Sequence, residues 1–371
     1  MDATFLPAPV AERDALLALW AVPGVGSVGL GEVRRWADGR WADLVATPVR
    51  DWVDAIPLAD AVRDRLRGLR SLRAVAEVVR ERAAQGQMHV VHRGDAGYPE
   101  RLTEVADAPP VLFLRGTVGP PRRRLALVGT RHPEQGFLRR AREFAAVVAL
   151  RGAGVISGAA AGVDRACHLG ALDAGGETWA FLGSALDSLD AAQERLVPAI
   201  LDAGGAIYSE LPPGIRASRQ TFPRRNRLIS GSADAVVVLR AGEQSGALHT
   251  VHAARKQGRP VLAWPGEVWA EAARGCNLLL LHRIARPCLS PEDALRAAGL
   301  DGSMPAPVPG EVPLLSPAAR SVYALLSRTP RALEELEADS ALGTGELISA
   351  LCELELLGLA FQSPGKRYER V

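Results

Sequence analysis

The chain has 371 residues, 48% of them hydrophobic and 23% charged, and a formal net charge of +2. That length exceeds a single small core and predicts two or three domains. No apolar run reaches the roughly 18 residues of a spanning helix, and the N-terminus is acidic where a signal peptide would be basic, so a cytoplasmic protein without a membrane partner is expected. The four cysteines, Cys167, Cys276, Cys288 and Cys352, form no C-x-x-C pair, so neither a zinc site nor a disulfide framework is indicated, and no metal or cofactor is expected.

In chain order, apolar residues recur at three and four spacing over 15–20, 30–36 and 62–79, predicting a helical domain over 1–84. Within it, Leu19-Trp20-Ala21-Val22-Pro23-Gly24-Val25-Gly26, followed by Leu30 and Val33, has the pattern of a helix-hairpin-helix (SAM-like) unit. Such a glycine turn can hold a DNA phosphate or serve as a packing device, and with only Arg34 and Arg35 close by the packing role is favoured over DNA contact. Residues 95–116 form a connector in which Tyr98-Pro99 and Pro109-Pro110 force extended backbone before the apolar 111–114.

From about 125 to 298, short apolar strands alternate with amphipathic helices, the signature of a parallel sheet covered on both faces. The fold class is therefore α/β: an extended Rossmann-type domain over 85–300, flanked by the helical domain and by a small C-terminal one. Candidate strands are 125–128, 155–157, 179–182, 206–209, 235–239 and 261–264, with helices between them as right-handed crossovers require. Residues 301–315, rich in proline, read as a linker. Residues 316–371 suit a winged helix: three helical segments, then 359–361, a turn over 363–365 and a last strand over 367–371.

Three glycine turns carry candidate chemistry. Leu125-Ala126-Leu127-Val128-Gly129-Thr130-Arg131 ends a strand in a turn that leads into a helix over 137–150, offering free backbone N–H groups beside Arg131 for a phosphate. Tight packing alone also requires such a glycine in many α/β domains. The next strand repeats the device with Ser157-Gly158 and Gly162-Val163-Asp164. A dinucleotide enzyme would place an acidic residue at the end of that strand, and Ser157-Gly158 stands there instead. Asp164 and His168 share a helix face, so a structural contact between them is expected rather than a catalytic pair. Ser245-Gly246 opens a helix over 247–256 and extends the same rim.

The segment Arg219-Gln220-Thr221-Phe222-Pro223-Arg224-Arg225-Asn226-Arg227 interleaves one aromatic ring with four arginines and an asparagine. Arginines supply phosphate contacts and a phenylalanine face can stack an unpaired base; the alternative is a solvated arginine helix with Phe222 packed inward. Nearly all basic residues of the chain are arginine, which a GC-rich genome would also produce, so only arginines inside motifs enter the argument.

These elements together resemble the DNA-processing protein A family (DprA, also called Smf). The matching residues are Tyr98-Pro99 with Pro109-Pro110, Val128-Gly129-Thr130-Arg131, Ser157-Gly158 with Gly162, Asp164 and His168, Ser209-Glu210, Phe222-Pro223-Arg224-Arg225-Asn226-Arg227, Ser245-Gly246 and Pro265-Gly266. Leu354-Glu355-Leu356-Leu357-Gly358 and Tyr368 extend the match to the C-terminus. The resemblance implies a protein that binds single-stranded DNA, with duplex DNA a second candidate ligand. It also implies dimerisation through the Rossmann domains and loading of the RecA recombinase in natural transformation, on strands that single-strand-binding protein coats. Arg131 and residues 219–227 would line the DNA pocket. The sequence departs from the family pattern at His249, Val251 and Asp190-Ala191.

Two rival readings come from other classes. A related Rossmann enzyme acting on nucleoside monophosphates would carry a Pro-Gly-Gly-x-Gly-Thr-x-x-Glu loop, and Pro265-Gly266-Glu267 lacks it; no paired carboxylates flank the phosphate turns, so no catalytic residue is assigned. A ligand-sensing transcription regulator would read duplex DNA with the helix over 343–357, which carries Glu346, Glu353 and Glu355 and no arginine.

Overall fold

The apolar spacing near the N-terminus resolves into five helices in a computed structural model that describes residues 9–120, 122–218, 221–300, 315–327, 329–356, 359–363 and 365–370. They are α1 (Val10–Ala21), α2 (Gly26–Ala37), α3 (Trp41–Ala46), α4 (Asp60–Arg67) and α5 (Leu72–Gln85). The spacing over 62–79 belongs to two helices, because α4 ends at Gly68 and the Ser71 hydroxyl, accepting from the Ala74 N–H at 3.1 Å, starts α5 afresh. Leu17, Leu19, Leu66 and Leu72 share one core with Phe113, Leu182 and Ile207 of the sheet. Arg13 adds a bidentate pair with Asp95 at 2.7 Å, and the Trp20 indole donates to the Glu210 carbonyl at 2.8 Å. Helices and sheet thus form one compact unit, Met1–Met304.

The sheet contains β1 (His89–His92), β2 (Val111–Gly116), β3 (Arg124–Gly129), β4 (Gly154–Ser157), β5 (Thr178–Phe181), β6 (Ala206–Ser209), β7 (Ala235–Arg240), β8 (Val261–Ala263) and β9 (Arg286–Pro287). Among the described residues the order is β1-β2-β6-β5-β4-β3-β7-β8-β9, parallel from β6 to β9, with β2 antiparallel to both β1 and β6. All six candidate strands occur, within one residue at either end. The connector over 95–116 and the residues before it supply the antiparallel extension, which the sequence reading had not assigned to strands.

Helices α6 (Gln135–Leu150), α7 (Val163–Asp173), α8 (Ala191–Asp202), α9 (Thr221–Gly231), α10 (Ala247–Lys256), α11 (Glu271–Leu281) and α12 (Pro291–Ala297) complete the unit. Strand alternation divides the core. Leu125, Leu127, Val155 and Val237 face Phe144 and Val148 of α6, while Ala126, Val128, Ile156 and Val238 face Leu228 and Ile229 of α9. The chain lays down β3 to β6 in one direction and then returns to add β7 to β9 on the other side of β3. The carboxyl ends of β3 and β7 therefore flank a topological switch point, where such sheets open a crevice.

A second compact unit spans Pro305–Val371. It packs α13 (Pro317–Leu325), α14 (Leu333–Ser340) and α15 (Thr344–Leu356) against a sheet of β10 (Arg331–Ala332), β11 (Ala360–Ser363) and β12 (Arg367–Arg370) in the order β10-β12-β11. Val322, Leu336, Leu347, Leu351, Leu354 and Tyr368 fill its core. This is the expected winged helix with one additional short strand, β10. The linker expected before it lies outside the described residues over 301–314. Among the described residues no helix is long and apolar enough to cross a membrane.

Candidate nucleic-acid interface

The glycines after β3 and β4 exist to lock two turns together. A Cβ on Gly129 would stand 2.8 Å from Val163, and one on Gly162, whose φ is +84°, 2.5 Å from the Thr130 carbonyl oxygen. That proximity lets the Val163 N–H, first in α7, donate to Thr130 O at 3.1 Å. The result fixes Thr130 and sends Arg131 outward, where its side chain is exposed. Packing and ligand geometry are thus the same feature: the close approach aims the turn.

The expected contact between Asp164 and His168 gives way to separate partners. Asp164 accepts from the Gly158 N–H at 3.2 Å, and burial raises its pKa against the pull of Arg225. His168 is fully buried, its Nε2 accepting from the Ala159 N–H at 3.3 Å and its Nδ1 lying 2.7 Å from Thr178 Oγ1. Because the Thr178 hydroxyl already donates to Val155 O at 3.0 Å, it accepts from His168, which is therefore neutral with its proton on Nδ1. Ser157 is also committed, donating to Leu127 O at 2.6 Å. Asp164, His168 and Ser157 shape the second turn from beneath.

Helix α9 splits the arginine segment among three places. Arg225 is 4% exposed and donates to Gly158 O at 2.6 Å and to Phe181 O, tying α9 to the ends of β4 and β5. Burial lowers its pKa to about 10, Asp164 opposing the shift. A Cβ on Gly158 would stand 2.6 Å from its guanidinium, so that glycine is the socket for this side chain. Arg227 turns to buried Glu210, with Asp107 3.7 Å away. Arg224 is exposed and borders a separate 260 Å³ cleft with Trp20, Gly24 and Gly26 of the helical hairpin. Arg219 lies outside the described residues. Of the expected pocket arginines, Arg224 and Arg227 are therefore placed away from the cleft: Arg224 points about 100° round the helix from Arg225, and Arg227, although near Arg224 on the helix surface, is drawn to Glu210.

What remains together is a cleft of 480 Å³ at the switch point, lined by Gly129, Thr130, Arg131, Phe222, Arg225, Asn226, Ser245 and Gly246. Asn226 Nδ2 donates to Gly246 O at 3.2 Å, joining α9 to the turn that opens α10. Phe222 is half-buried: its ring edge packs against Gly183, where a Cβ would stand 2.8 Å from Cδ1, and the Arg131 guanidinium carbon sits 4.9 Å from the ring centroid. A second recess of 320 Å³ shares Arg131, Ala160 and Phe222 and runs to the start of α8 at Asp190 and Gln193, extending the cleft into a groove. Sequence reading missed His132, Gln244, His249 and Thr250 on this wall. His249 and Thr250 were legible in principle, three and four positions beyond Gly246 on a helix face that starts at the rim.

A family model described as DNA recombination-mediator protein A matches residues 89–299, and one described as DprA winged helix domain matches 305–366. Protein Smf of Synechocystis sp. is 33% identical over 313 residues, covering 74% of this chain and 78% of that relative. Among solved structures, DNA processing protein A from Streptococcus pneumoniae superposes with a TM-score of 0.63 at 25% identity, over 78% of this chain and 98% of the other. The Helicobacter pylori protein of that name, described by its single-stranded DNA binding mode, has a TM-score of 0.50 at 24% identity over 57% and 94%, and shares the fold.

Proposed function

Because the chain belongs to the DNA recombination-mediator protein A family, we propose that it binds single-stranded DNA in the Arg131–Phe222 cleft, protects exposed or incoming strands and loads RecA recombinase onto them, without catalysis of its own. One observation carries this reading: an exposed arginine lies over an aromatic ring at the sheet's switch point, where two recesses meet. Such a pair meets a phosphate and a base side by side. The single-stranded DNA binding described for the H. pylori protein of the same fold supports the choice of ligand. Among the described residues lining the cleft, Asp164 is the single carboxylate, and it is hydrogen-bonded to Gly158, which argues for holding a strand rather than hydrolysing a nucleotide. The acidic α15, with Glu346 and Glu355, favours a protein-facing role for the winged helix over duplex reading.

The test uses labelled single-stranded and double-stranded oligonucleotides of matched length, with mononucleotide turnover followed in the same tube. Retention of single strands, loss of retention in Arg131→Ala and no turnover are expected; hydrolysis, or full binding by the folded variant, overturns the reading. RecA loading is tested by nucleation rates on strands coated with single-strand-binding protein, and unchanged rates with intact DNA binding remove that part. Self-association through the Rossmann unit also belongs to the proposal. Helix α10 offers little surface for it, since Ala247, Val251 and Ala254 pack inward. Val268, Trp269, Leu281 and Leu289 are exposed large apolar side chains of the same unit and are the candidates for it instead.

A further inference from the structure

At the opposite, amino ends of the parallel strands lies a cavity of 450 Å³ whose wall carries Arg101, Arg122, Arg123 and Arg124 against Glu100, Glu104 and Asp234, with Trp179 and Ser232. Arg124 begins β3 and Gly129 ends it, so this cavity and the DNA cleft are separated by roughly 17 Å of strand. Its wall is rich in donors. Trp179 and Ser232 are each 2% exposed, and the indole Nε1, the Ser232 hydroxyl and Arg124 Nε have no hydrogen-bond partner. Arg101 Nε, 3.3 Å from an Asp234 oxygen, lacks the alignment of a hydrogen bond. Leaving a buried donor unsatisfied costs about 1–3 kcal/mol, and four on one wall need an explanation.

The carboxylates around the cavity are turned to other donors, and none meets these four in hydrogen-bonding alignment. Asp234 accepts from Arg123 and from the Arg124 N–H, both at 2.9 Å. Glu177 holds Arg122 at 3.0 Å and Arg124 at 3.3 Å, and Glu104 holds Arg101 at 2.7 Å and Arg259 at 2.9 Å. Even with Glu100 on the wall, the guanidinium groups outnumber the carboxylates. The Trp179 ring is itself covered, by the Arg124 guanidinium at 3.5 Å and by Tyr208 at 5.4 Å, which leaves no face for a nucleobase.

Surplus donors, surplus positive charge and no stacking surface define an acceptor-rich anion. We propose that this cavity binds a small oxyanion, inorganic phosphate or the phosphate of a mononucleotide, with Arg122 and Arg123 at its mouth and Trp179 and Ser232 at its floor. Calorimetric titration of the full chain in chloride buffer, with inorganic phosphate in one arm and dAMP in the other, tests it. Phosphate should bind once per chain and raise the melting temperature. Its affinity should fall about tenfold in Arg122→Gln/Arg123→Gln and clearly in Ser232→Ala, and hold in Arg131→Ala. Equal dAMP binding with the same sensitivity assigns the site to nucleotide phosphate, and its absence to the free ion. No binding of either probe, full affinity in both cavity variants, or loss confined to Arg131→Ala overturns the proposal.

Discussion

Arg225 carries its charge where water does not reach, and that decides what its removal does. A solvent-facing arginine would lose one phosphate contact on truncation, but Arg225→Ala strips two carbonyls of their donor and leaves Asp164 buried without its cation. We expect a loss of about 3 kcal/mol or more in folding stability, with affinity lost only as the fold fails; a denaturant titration beside a binding curve separates the two. Arg131→Ala should leave the melting temperature within a degree or so and reduce the slope of log affinity against log salt by roughly 0.7. Phe222→Ala should cost about 1–3 kcal/mol of affinity, and the double variant should fall short of the sum because the ring orients the guanidinium. Strict additivity would show that the pair does not act together. His168 sets an acid limit. It is neutral when folded, its pKa lowered to about 3 by burial and then by Arg225, while an unfolded histidine titrates near 6.5. The unfolded chain thus binds the extra proton between those values, so stability is fully present above about pH 6.5 and falls as the pH drops toward 3. His168→Gln should lower stability at pH 8 and flatten its decline between pH 6.5 and 4 by on the order of 3 kcal/mol, read from melting curves across pH.

At the scale of elements, the candidate interface is three turns held at fixed spacing by one helix. Helix α9 is pinned below by Arg225 in the Gly158 socket and above by Asn226 on Gly246. Gly158→Ala places a methyl group 2.6 Å from the Arg225 guanidinium, which can move away only by giving up its hydrogen bonds to Gly158 O and Phe181 O. A destabilisation of about 1–3 kcal/mol with weakened DNA binding is expected, whereas Gly246→Ala, where a Cβ meets nothing within 4 Å, should be nearly silent. Equal effects from the two would show that the turns are not coupled through α9. The elements themselves were legible where the pattern was local. Glycine turns after apolar runs gave the strands within one residue, and the spacing after Gly246 gave α10. The division of 62–79 at Gly68 and Ser71 was carried by a cap, a weaker signal than periodicity. Strand β2 was readable only as apolar, because its pairing with β6 depends on a partner far along the chain.

For the whole molecule, the two units divide the charge. Residues 305–371 hold six basic and nine acidic residues, so the surplus of positive charge lies in the first unit. A chain ending at residue 304 should keep its single-strand affinity and melting transition, as each unit has its own core. A drop of more than about tenfold on truncation would place part of the DNA site in the winged helix. Trp269, 92% exposed, is the probe for self-association. Trp269→Glu should shift a micromolar dimer to monomer in sedimentation, and a wild-type chain that sediments as a monomer removes the dimer.

The sequence by itself determined the class of the fold, the six central strands, the winged helix and the identity of the turn residues, because each rests on short-range periodicity or on a glycine beside an apolar run. Tertiary structure alone decided where each arginine side chain goes. Arg131 follows a turn aimed outward, Arg225 enters a socket and Arg227 meets Glu210, yet in sequence Arg224, Arg225 and Arg227 stand in one short run as equivalents. Their difference comes from helix rotation against partners distant in the chain, which composition and spacing do not record.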